Sequence, residues 1–237
     1  MMMMAMMALV AMWGLASGLE LAVFPLRKMP RVPTETVRLR LFEARYLALA
    51  RAVLAKEPSV FAAIYCGDAP AVLPFGQAPA TPLLKDGSIG VVCRVTEATE
   101  DKTKDGRDRM TLTATALSRC RVISIIQSPI FEGDTPYLVI ESEPVVDDAA
   151  NDDVLALAEA RASAAVIDRS WVMPHESELG LPSRQELESF GLLSTLDLTP
   201  RARLAALSQT DTAGRYDQVA SNLEKKAKWR LFDTIFR

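Results

Sequence analysis

Asp105-Gly106 lies between two alternating runs, and no other feature of this 237-residue chain restricts its folding as tightly. Before it, Ile89, Val91, Cys93 and Val95 recur at every second position. After it, Met110, Leu112, Ala114 and Ala116 alternate with Thr111, Thr113 and Thr115. Successive side chains of a strand point to opposite faces, so each run presents one apolar face. An Asp-Gly pair supplies the positive φ that a tight hairpin requires. Further strands are predicted over residues 19–24 (stopped by Pro25), 37–42, 61–66, 121–126 and 137–143. In the second of these, Val37, Leu39 and Leu41 share one face and the arginines take the other. Six or so short strands with one helix among them point to a small, partly closed barrel.

The helix follows residue 42, where the period changes. Tyr46, Leu49, Ala50, Val53 and Leu54 form an apolar stripe through Lys56, and Pro58 closes it. Residues 27–34 hold Pro30 and Pro33 and read as a loop or sheet edge. Residues 67–87, rich in Pro, Ala and Gly, form a long loop. From Val145-Val146-Asp147-Asp148 onward the signals are helical. Asn151 caps a helix opened by Asp152 and Asp153, Ser183-Arg184-Gln185-Glu186 forms a capping box, and Thr199 precedes a proline at the first helical position. A last helix, about 213–236, presents Tyr216, Val219, Ala220, Leu223 and Ala227 on one side. The expected division is an apolar leader or disordered extension (1–18), a strand-rich domain (19–147) and a helical subdomain (148–237).

Several function classes receive no support. The 27 basic and 30 acidic residues give a formal charge of -3. The two signs balance up to Asp147, and acids exceed bases after it, so a broad phosphate-binding surface is not expected. Lys225-Lys226-Ala227-Lys228-Trp229-Arg230 is the one basic cluster, and cations near a helix C-terminus complement its dipole. Cys66, Cys93 and Cys120 form no C-x-x-C pair and give no zinc site or disulfide framework; Cys93 and Cys120, inside apolar strand patterns, read as small hydrophobes. His175 is the only histidine and has no catalytic partner pattern around it. Phosphate-cradling and nucleophile-elbow motifs are absent, so no enzyme, cofactor or metal is expected. Glu97, Glu100, Asp101, Lys102, Lys104, Asp108 and Arg109 mix both signs about the hairpin tip, as a solvated turn does. Met1–Gly18 resembles the apolar core of a signal peptide but has no cation before it, and it is short for a membrane span. It permits a secretory or organellar leader; otherwise the protein is expected inside the cell.

A set of short motifs in fixed order resembles the Lon N-terminal domain, the substrate-binding module of ATP-dependent proteases. These are Phe24-Pro25-Leu26, Leu39-Arg40-Leu41, Phe42-Glu43-Ala44-Arg45-Tyr46, Asp105-Gly106-Arg107, Leu117-Ser118-Arg119-Cys120-Arg121 and Pro136-Tyr137-Leu138. The chain departs from the pattern where Pro33-Thr34 replaces a Pro-Gly turn, Ser118 a glycine and Cys120 an aromatic. The resemblance implies an α+β fold: a small PUA-like β-barrel with one internal helix, followed by an all-helical subdomain. It implies a stand-alone, non-catalytic module, lacking ATPase and peptidase segments, that recruits unfolded segments or degradation signals in protein quality control. A separate protease or ligase component is the other partner expected, and a PUA-like RNA-binding module is the alternative. The loop 67–87 and the groove between barrel and helices are the expected client sites. From their own chemistry, Phe24, Pro25, Leu26, Phe42, Glu43, Arg45, Tyr46, Asp105, Gly106 and Arg107 read as structural. Glu43 suits the first helical turn, Arg45 braces the junction, and Tyr46 is the first buried anchor.

Overall fold

The structure, a computed structural model, describes residues 18–67, 84–127, 137–148, 151–165 and 182–235. The expected leader, most of the loop 67–87 and His175 lie outside these residues. Six strands come first in the chain: β1 (Leu19–Leu26), β2 (Thr36–Leu41), β3 (Val60–Tyr65), β4 (Ile89–Lys102), β5 (Asp108–Gln127) and β6 (Val139–Val145). Helix α1 (Ala44–Leu54) separates β2 from β3. Then come α2 (Asp152–Ala165), α3 (Arg184–Ser194), α4 (Pro200–Ser208) and α5 (Thr212–Ile235).

The strands form one sheet in the order β2-β5-β4-β3-β1-β6, and β5 also pairs with β6. That last pairing closes a ring of β1, β3, β4, β5 and β6. β2 stands outside the ring against the first half of β5, from Thr36↔Thr115 to Leu41↔Met110, so the sheet is not a clean barrel. β1 and β3 run parallel, and the chain between them carries the crossover helix α1 that such a pairing needs.

β1 does not stop at Pro25. Leu26 accepts from the Cys66 N–H across the β3 side, whereas Val23 donates to the Leu138 carbonyl on the β6 side. Backbone groups alternate along a strand, so the Pro25 nitrogen faces the β6 side, beyond the last β1–β6 pair at Ala22↔Val139. No ladder bond is lost there, and the proline is tolerated. Gly90 is required for a different reason. A Cβ at that position would meet the Ala63 carbonyl at 2.8 Å, so the close approach of β3 to β4 depends on glycine.

The predicted short strands over 110–116 and 121–126 are one strand of 20 residues. Bulges let it bend. Against β4, Val92 pairs with Ser118 and Cys93 with Ala116, which leaves Leu117 unpaired. Against β6, Ile123 and Ile126 are skipped in the same way, and these two bulged isoleucines are exposed. The Leu117 bulge reverses the facing of β5. Met110, Leu112, Ala114 and Ala116 pack in the cluster that contains Phe190 and Tyr216 of the helices, whereas Cys120 and Val122 join Leu21, Ile64 and Ile140 on the opposite face. Both faces of the central strands are covered, so Gly90, Val91, Val92 and Cys93 are buried in succession and the expected alternation of β4 is lost there.

Local signals place the helix starts. Asn151 Oδ1 accepts from the Asp153 N–H at 3.0 Å, and Thr199 Oγ1 accepts from Ala202 ahead of Pro200. Ser183 Oγ accepts from the Glu186 N–H at 3.2 Å, but the capping box is only half formed. The Glu186 side chain turns away from its own N-cap to meet Arg119.

Candidate functional site

The strand-to-helix junction gathers most of the family-motif residues. Glu43 is the N-cap of α1 and makes no side-chain cap bond. Its carboxylate instead accepts from Arg45, at 2.9 Å from Nε, so the expected brace is a local one and Glu43 lies outside the first helical turn. The Arg45 guanidinium lies 4.7 Å from the centre of the Tyr46 ring. Tyr46 packs on Phe24 at 5.9 Å, and Phe24 meets Phe61 edge-on at 4.9 Å. The motif is thus a relay from a surface carboxylate to the core. Tyr46 itself is half-buried, and Leu47, Leu49, Ala50 and Val53 are the residues α1 buries. Burial raises the Tyr46 hydroxyl pKa, partly offset by Arg45. Phe42 stands apart at 63 % exposed, facing water.

Asp105, Gly106 and Arg107 sit at the tip of the β4–β5 arm. Thr103 donates to the Arg107 carbonyl and Gly106 to the Thr103 carbonyl, with Gly106 at φ 76°. Asp105 keeps a negative φ, so the turn is a three-residue loop with one left-handed glycine and not the two-residue type. All three residues are exposed. Along the arm, Arg51 pairs with Glu100, and Arg109 forks onto Asp101 with one contact at 2.8 Å.

A polar centre that the sequence did not signal lies between strands and helices. Arg119 of β5 and Arg215 of α5 are both 0 % exposed. Arg119 donates to Glu186 of α3 at 2.9 Å, to Asp147 after β6, and to the Leu207 and Gln209 carbonyls at 3.0 and 2.8 Å. Arg215 donates to both oxygens of Asp147, to Ser189 Oγ and to the Gln209 carbonyl, and Thr212 also donates to Asp147. The Phe190 ring lies under both guanidiniums, at 5.2 and 4.2 Å. Two cations thus face two carboxylates, and burial pushes the Glu186 carboxyl up against the pull of Arg119. A second tie runs from Arg203 of α4 to Glu35 at 2.6 Å. The expected client groove between sheet and helices is therefore filled by ion pairs and apolar core.

What remains open lies elsewhere. A cleft of about 420 Å³ is walled by β1, the end of α1, and the first residues of β3 and β6. Its floor is apolar, from Ala22, Val53, Val60 and Val139, and Glu20 and Lys56 stand at the rim. It suits an apolar side chain of a bound segment, and no nucleophile–base pair faces it. The three thiols are buried, and burial pushes Cys66 up to about 11 and Cys120 up to about 12. A thiol so held is not a nucleophile near neutral pH. Among the described residues no group of three metal-ligating side chains stands together, and no helix is long and apolar enough to cross a membrane.

A family model of the ATP-dependent protease La (LON) substrate-binding domain matches residues 20–226. The chain belongs to that family. The match spans strands and helices alike, and a substrate-binding domain of this kind is non-catalytic in itself. Among solved structures, the N-terminal domain of the Mycobacterium avium complex Lon protease is similar over 87 % of this chain and 98 % of its own, at 13 % identity and a TM-score of 0.54. That likeness is one of fold. A Lon N-terminal domain protein from Xanthomonas campestris aligns over 86 % and 98 % at 22 % identity, with a TM-score of 0.49. No curated protein matches the sequence.

Proposed function

We propose that this member of the Lon substrate-binding family is a client-binding module that holds unfolded segments or degradation signals of proteins during quality control and performs no chemistry on them. The family match over residues 20–226 carries this reading. Two features of the surface support it: the apolar cleft beside α1, and the exposed Phe42 of the junction. On this reading the closed ring of strands is a PUA-like barrel that serves as the rigid support. A separate protease or ligase component would receive the client. Nothing in the balanced charge of the strands favours RNA as the ligand.

The test is fluorescence anisotropy of the full chain against a labelled, permanently unfolded protein, with labelled single-stranded RNA in parallel at two salt concentrations. Saturable, salt-tolerant binding of the unfolded protein is expected. RNA binding that collapses with salt, with no binding of the unfolded protein, would overturn the proposal.

A further inference from the structure

β2 ends the sheet. One side pairs with β5, and on the other side its backbone makes no hydrogen bond to any described residue. An open strand edge is a template for another extended chain, and proteins commonly blunt such edges with charge. Here the charge has a pattern. Thr36, Arg38, Arg40 and Phe42 are exposed at every second position, while Val37 and Leu41 between them are buried. Period 2 places the exposed four on one face.

Arg38 and Arg40 differ from their neighbours. Arg45, Arg51, Arg109, Arg121 and Arg161 each pair with a carboxylate. Arg38 and Arg40 have no ion-pair or hydrogen-bond partner among the described residues; across β5 they face Thr113 and Thr111. A strand added to the free side of β2 would bring its alternate side chains opposite these guanidiniums. Opposite charges across a strand pair attract, and like charges repel, so the edge accepts acidic strands and refuses basic ones.

We propose that the β2 edge captures an extended acidic client segment by strand addition. Carboxylates two residues apart then meet Arg38 and Arg40, and an apolar side chain of the client lies against Phe42. This rests on the client-binding reading and names the class of segment taken. Strand addition supplies backbone hydrogen bonds for affinity, and the two arginines supply the choice.

The probe is a fluorescein-labelled peptide of alternating Glu and Val ending in Leu, compared with its Lys-for-Glu counterpart. With the full chain, the acidic peptide should bind about tenfold or more tightly than the basic one. R38E/R40E should reverse that preference, and R38Q/R40Q should abolish it without reversal; circular dichroism checks that both variants fold. If unfolded protein binds and R38E/R40E leaves all binding unchanged, the edge proposal fails while client binding stands. If wild type binds neither peptide nor unfolded protein, both fail. Glu97, exposed on β4 beyond its last pair with β3, makes a second copy the competing occupant. Self-association in sedimentation that R38E/R40E abolishes, without peptide binding, would overturn the client assignment.

Discussion

Arg119 and Glu186, 67 residues apart in sequence, meet at 2.9 Å with both side chains shut away from solvent. Sheet and helices are joined by this contact and by the Asp147 carboxylate that Arg119 shares with Arg215. A buried pair of this kind adds little over an apolar contact of equal volume, yet removing one partner strands the other.

Arg119→Leu is therefore expected to destabilise the fold by about 3–5 kcal/mol, because Glu186 is left buried and uncompensated. Urea unfolding of variant and wild type measures the difference. A loss of only a few tenths would mean that Glu186 finds another partner or water.

Thr34 is the described non-glycine residue with positive φ, at 76°, and it is buried. A β-branched side chain there is strained, and it stands where the family resemblance places glycine. Thr34→Gly should raise stability by about 1 kcal/mol, the relieved strain exceeding the entropy glycine brings to the unfolded chain. A lower Tm for the variant would refute this.

The raised carboxyl of Glu186 gives a pH dependence whose sign is fixed. The folded state keeps the proton to higher pH than the unfolded chain, whose value is about 4.3. The group's contribution is thus full below that value and declines as pH rises through the higher folded value. The Tm of wild type minus that of Glu186→Gln should fall as pH rises above about 4. A flat difference would show that Glu186 ionises in the fold as readily as in the unfolded chain.

Burial of Cys66, Cys93 and Cys120, with their thiols pushed up, predicts slow labelling of the native protein. Ellman's reagent at pH 8 should find almost no reactive thiol until denaturant is added, then all three. Rapid reaction of one thiol in the native state would identify a local opening.

Strands are legible where one face alone is buried, as in β2, whose Val37 and Leu41 stand against Arg38 and Arg40. Legibility failed where both faces are covered, since Gly90 to Cys93 are buried in succession and carry no period. Helix caps are readable because they act over three residues; Glu186 departs from its capping box because a partner 67 residues away outcompetes its own N-cap. Asp147 is marked in the sequence only by a change of character, and Arg215 by nothing. An arginine inside an amphipathic helix carries no mark of burial until the fold brings two carboxylates to it. The junction motif was readable as a unit, but its exposed Phe42 was not, since the β2 pattern gives no sign of where the sheet ends.

The unpaired Leu117 divides β5 into two halves that keep opposite conventions of inside and outside. Even-numbered positions look toward the helices before it and away from them just after it, and this reversal is what turns Arg119 toward Glu186 and Asp147. A mutational scan along β5 would therefore change phase at that residue. A regular strand of the same sequence, with Leu117 taken into the ladder, would present Arg119 to the apolar interior and Cys120 to the carboxylates, so the joint between the two halves of the molecule depends on one residue being left out of the pairing with the neighbouring strand.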